Sequence, residues 1–184
     1  MAELKTTKKL TLLIQDLNST NPSKVTNALD AMQVYGNQTI IEPLFKFILE
    51  TTNNKAKSEV IEFLSNLKDS ASKKVVIENL LNKNFSTIQN EILSTIWNSP
   101  LDYSDFLSDF VKIAVENEFL TTLECLTVIE NLEGPFEEKQ ILESQLILKD
   151  YRDGKFSKSK EKDTLISEIA IFIKEFDIKN QEFD

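Results

Sequence analysis

EVIEFL at residues 59–64 returns as EILSTI at residues 91–96 and as ECLTVI at residues 124–129, and NALDAM at residues 27–32 carries the same pattern one step earlier. In each segment two adjacent apolar residues are followed by a third: Ala28 and Leu29 with Met32, Val60 and Ile61 with Leu64, Ile92 and Leu93 with Ile96, Cys125 and Leu126 with Ile129. Residues three and four apart share one face of a helix, so each triplet reads as the apolar stripe of an amphipathic helix. The leading residues are 32, 32 and 33 positions apart, which makes the chain a tandem repeat.

A second helix follows in each repeat. Fifteen and sixteen residues after Leu29, Ile61 and Leu126 stand Leu44 with Phe45, Val76 with Ile77, and Ile141 with Leu142. In the third repeat two extra residues in the turn Ser99-Pro100-Leu101 move the pair to Phe110 and Val111. These pairs, with Leu29, Ile61, Leu93 and Leu126, are expected to line one apolar seam. The residues just after them, Lys46, Glu78, Lys112 and Glu143, are expected to point away from it as a row of alternating sign.

Turn chemistry sets the same boundaries. Asn21 and Pro22 read as N-cap and first helical residue, Asp102 as an N-cap with Asp105 in the first turn, and Ser86 with Gln89 as a capping box. Gly36 and Gly134 suit helix ends, and Pro135 the first turn of the following helix. The reading is one all-α domain over residues 1–184: a capping helix within 1–20, four hairpins over 21–150, a linker at 151–163, and a helix and tail over 164–184. The hairpins fall at 22–51, 54–83, 86–117 and 119–150. Leu10, Leu13, Ile14 and Leu17 form the first terminal stripe, and Leu165, Ile169, Phe172 and Phe176 the last. End helices of this kind cover an otherwise open stack.

The repeated apolar pattern over residues 21–150 resembles the HEAT-type helical repeats, with Asp69 and Asp102 in place of that family's turn aspartate. The units here are shorter than usual for the family, and its first-helix proline is missing. The resemblance implies a right-handed stack of about four antiparallel helical hairpins, an α-solenoid with capping helices at both ends. It further implies a scaffold that binds other proteins along its second helices, although function does not follow from fold alone.

Composition narrows the chemistry. The chain has no His, so it supplies no Ser-His or Cys-His dyad, no His general base and no imidazole metal ligand. The lone Cys125 forms no internal disulfide and no cysteine cluster, and its place in the apolar triplet predicts a buried, inert thiol. Neither a glycine-rich phosphate loop nor a Glu-x-x-His pair occurs. No catalytic residue, metal ligand or cofactor is expected. The amino terminus lacks the continuous apolar run of a secretion signal, and the stretch from Leu165 to Phe176 is too short and too charged to cross a bilayer. A cytoplasmic location is the expectation.

Charge is uneven. Residues 1–92 hold eleven lysines and ten acids, whereas residues 93–184 hold ten cations and twenty acids, within a net charge of −9. The candidate partner surface is the acidic set Asp102, Asp105, Asp109, Glu116, Glu138 and Glu143, which suits a protein with a basic segment. Solubility alone is the plainer reading of the same charges. Phe47, Trp97 and Ile113 join the candidate surface, because they are apolar where the other repeats carry polar residues. Nucleic acid fits poorly, since Arg152 is the only arginine and no basic stripe follows the repeats. The basic segment Arg152, Lys155, Lys158, Lys160 and Lys162 is diluted by acids and reads as a solvated linker. The expectation is thus a non-catalytic interaction scaffold. A HEAT-like enzyme or nucleic-acid-processing protein using surface carboxylates, and a self-associating structural module, are the alternatives.

Overall fold

A computed structural model describes the backbone of residues 2–35 and 38–183, with side chains except at residues 2–8, 10, 22, 34, 35 and 181–183. Gly36 and the side chains of Leu4 and Leu10 lie outside the described residues. Ten α-helices and no strands occur among these: α1 Ala2–Leu17, α2 Pro22–Tyr35, α3 Ile41–Glu50, α4 Asn54–Ser65, α5 Ser72–Leu80, α6 Gln89–Trp97, α7 Leu107–Glu116, α8 Phe119–Glu130, α9 Glu138–Arg152 and α10 Lys160–Phe183. The helices group into two compact units, Met1–Leu101 and Asp102–Asp184.

In the first unit α2 packs on α1 and α4, α3 on α4 and α5, and α4 on α6. Like helices of successive repeats therefore lie side by side. Lys57 of α4 reaches Glu91 of α6 at 2.6 Å, and Gln38 Nε2 donates to Asp69 Oδ2 at 3.0 Å. Asn21 Oδ1 accepts from the Ser23 N–H and Asn53 Oδ1 from the Ala56 N–H, so two asparagines 32 positions apart cap α2 and α4.

In the second unit α7 packs on α8 and α9, and α10 lies against both α8 and α9. Its polar bonds repeat the offset. The Glu133 N–H donates to Asp102 Oδ1 at 3.0 Å, the Ser108 N–H to Gln140 Oε1 at 2.9 Å, and Gln145 Nε2 to Asp177 Oδ2 at 3.2 Å. In both units these bonds join residues 31 to 34 positions apart, which is one repeat length.

The apolar triplets are core, except that Ile61 is only partly buried. Ala28, Val60, Ile92 and Cys125 are buried, as are Met32, Leu64, Ile96 and Ile129. Each helix fixes its stripe before any packing, and burial of such stripes supplies most of a helix's stability in a protein. A further repeat emerges at helix ends: Asn66, Asn98 and Asn131 each follow a first helix, and each side-chain amide donates to the carbonyl four residues back, at 2.8, 2.9 and 2.7 Å. Last-turn carbonyls lack partners within the helix, and the amides help satisfy them; the Ser94 carbonyl also accepts the Asn98 backbone N–H at 3.3 Å.

Several expectations change. Leu142 is half exposed, not part of the seam, because α9 buries the face carrying Ile141, Ser144 and Tyr151 instead. Ser86 and Gln89 form no capping box: Ser86 lies in a 3-10 turn, and Gln89 Nε2 donates to the Leu80 carbonyl. Gly134 and Pro135 sit between α8 and α9, outside both helices, and their peptide bond is cis. Gly134 adopts φ +77°, where a Cβ would also meet the Phe136 ring at 3.1 Å. Residues 151–163 are not a solvated linker throughout, since α10 begins at Lys160 and Lys162 is buried.

Candidate functional site

Asp102, Asp105, Asp109 and Glu143 gather around the start of α7, whereas Glu116 ends that helix and Glu138 opens α9. Asp102 shapes the turn before α7: its carboxylate accepts from the Ser104 N–H at 3.2 Å, the Ser104 hydroxyl at 2.7 Å and the Glu133 N–H at 3.0 Å. Asp105 follows in a 3-10 turn, and α7 opens at Leu107. The N–H groups of a helix's first turn have no intrahelical partner. Gln140, reaching from α9, accepts the Ser108 N–H, and the Ser108 hydroxyl donates to Glu143 Oε2 at 3.1 Å. Carboxylates are favoured here by the helix dipole.

Asp109 lies half-buried between these groups. Burial raises its carboxyl above the ordinary range, Lys112 opposes the rise and Glu143 adds to it. Asp109, Lys112 and Glu116 are spaced to share one face of α7, Asp105 lies in the turn before it, and Asp105, Lys112 and Glu116 are exposed. Glu138 is exposed at the start of α9, and Glu143 is paired with Lys139 at 3.7 Å. Asp102 and Glu143 thus hold the fold together, whereas Asp105, Glu116 and Glu138 present charge to solvent.

The apolar candidates divide. Phe47 and Ile113 are buried at 4% and 3% exposure, so the expected apolar spot at these positions is absent. Trp97 is half-buried at the end of α6. Exposed apolar side chains lie elsewhere, among them Phe119, Leu120 and Leu123 on α8, and Leu142 and Leu146, which are 50% and 62% exposed. Leu142 and Leu146, four residues apart, share a face of α9. The sequence of α9 carried the signal: Ile141, Leu142, Leu146, Ile147 and Leu148 are too widely spread around the helix for one stripe to bury them all.

The row of alternating sign takes a different form. Lys46, Glu78, Lys112 and Glu143 all stay out of the core, but Lys46 pairs with Glu42, Glu78 with Lys74, and Glu143 with Lys139, each along its own helix. At these spacings the pairs contribute only about 0.3–0.5 kcal/mol each.

Cys125 is fully buried, and burial pushes its thiol far above the ordinary value. Among the described residues no group of three His, Cys, Asp or Glu side chains could hold a metal ion, and no helix is long and apolar enough to cross a membrane. No protein-family model, curated protein or solved structure matches this chain.

Proposed function

We propose that this chain is a non-catalytic, HEAT-like repeat scaffold that binds a partner protein through the exposed faces of α7 and α9, and that the partner offers a basic amphipathic segment. The exposed pair Leu142 and Leu146, on the same helix as Glu143, whose charge acts on Asp109 of α7, carries the reading. An apolar spot with carboxylates beside it supplies both burial and selection: leucine side chains contribute area, and the carboxylates of α7 and α9, which outnumber Lys112, Lys139 and Lys149 there, favour lysine and arginine over other partners. The repeat reading draws support from the buried triplets, from the asparagine caps, and from hydrogen bonds that span one repeat length.

The test uses the full chain as bait in lysate from its source cells, read by mass spectrometry, beside two variants. Leu146→Asp removes the apolar contact, and Asp105→Lys with Glu116→Lys reverses the exposed charge. A basic partner lost with both variants supports the proposal; an unchanged set of partners rejects it.

Self-association is a second reading, favoured by Ile171 and Ile178, which are 52% and 48% exposed at spacing seven on α10. Sedimentation over a range of concentrations tests it, and a constant monomer mass removes it.

A further inference from the structure

A groove of about 460 Å³ runs between α9 and α10, within the size range of ligand sites. Its apolar lining is Leu148, Ile166, Ala170 and Ile173. Cross-helix hydrogen bonds tie the two helices at both ends, Gln145 to Asp177 at 3.2 Å and Tyr151 to Asp163 at 2.7 Å. The helical rise makes the span from Gln145 to Arg152 about 10 Å, room for roughly two turns of a docked helix.

Charge is what sets this groove apart. Lys149, Arg152, Lys158 and Lys174 line it, against one carboxylate, Asp163, whose Oδ1 already accepts the Tyr151 hydroxyl. Lys158 is held in place: its ammonium donates to the Arg152 carbonyl at 3.0 Å and lies 5.1 Å from the centre of the Tyr151 ring. The pair Arg152 and Asp153 is long, at 3.7 Å, and its arginine is largely exposed. A cationic rim on a chain of net charge −9 is a local reversal of sign, which favours an acidic partner at this place.

We propose that the groove between α9 and α10 is a docking site for an acidic amphipathic helix of a partner protein. Apolar residues of that helix, spaced three and four apart, fill the floor over Ala170, and its Glu and Asp side chains meet the rim cations. This site is separate from the acidic face of α7 and α9 and selects the opposite charge.

The experiment is a fluorescence anisotropy titration of the full chain with a labelled synthetic peptide that carries Leu at positions i, i+4 and i+7 and Glu on its remaining face. The control peptide keeps the Leu spacing and replaces Glu with Lys. The expected result is binding of the acidic peptide alone, weakened by added salt, and weakened about tenfold or more by Arg152→Glu with Lys174→Glu. Ala170→Trp fills the exposed floor and abolishes binding, with an unchanged thermal melt by circular dichroism as proof of folding. Equal binding of both peptides, no binding of the acidic peptide, or binding that survives both variants overturns the proposal. So does concentration-dependent self-association that Arg152→Glu abolishes, which assigns the groove to a second copy of the chain.

Discussion

Lys162 directs its ammonium at the backbone carbonyl of Val115, 2.8 Å away, and a second bond runs to the Ser157 carbonyl at 3.3 Å. Val115 lies in the last turn of α7, where carbonyls lack helical partners and the dipole favours a cation. The side chain is buried, and burial lowers its pKa from 10.5, with Glu118 and Asp163 opposing the fall. Lys162→Met leaves buried carbonyls unpaired and is expected to cost about 1–3 kcal/mol in urea unfolding at pH 7. The unfolded chain holds this proton more tightly than the folded one, so the wild type gains on the variant as pH rises from the lowered value towards 10.5. A gap that is constant or shrinking over that window contradicts the assignment.

Leu93 is fully buried and Leu142 half exposed, although sequence spacing assigns both to one seam. Leu93→Ala is therefore expected to destabilise by about 2–5 kcal/mol, and Leu142→Ala by under about 0.5 kcal/mol. Equal costs would return Leu142 to the core.

Asp102→Ala removes three acceptor bonds at the turn before α7. A loss of about 1–3 kcal/mol is expected, with faster hydrogen exchange at the Glu133 amide, whose acceptor is gone. Asp102→Asn keeps one acceptor oxygen and recovers part of both effects. An unchanged Glu133 exchange rate in the alanine variant counts against the bond.

The Cys125 thiol is fully buried and holds its proton strongly. Because the thiolate is the reactive form, a disulfide reagent is expected to modify the native protein only as fast as the fold opens, and the denatured protein at once. Rapid labelling under native conditions breaks this expectation.

Helix placement was legible in the sequence because apolar spacing of three and four encodes a face without reference to any neighbour. Ala28, Val60, Ile92 and Cys125 are buried in four helices that share no residue type at that position. Which residues remain outside depends on packing from both sides. Phe47 and Ile113 sit opposite polar residues in other repeats, and spacing alone leaves them ambiguous; their helices bury more than one stripe. The α9–α10 groove was hidden for another reason. Lys149, Arg152, Lys158 and Lys174 are diluted by acids along the chain, and only the side-by-side approach of two helices gathers them.

The bonds that tie one helix to a later one are also short in chain distance: Ser108 to Gln140 spans 32 residues, and the longest described above, Lys162 to Val115, spans 47. Closing such loops costs little chain entropy, and topologies dominated by near partners cross their folding barrier fast. Each helix meets its neighbours soon after it leaves the ribosome, so assembly can advance along the nascent chain in order of synthesis, with α10 the last to settle.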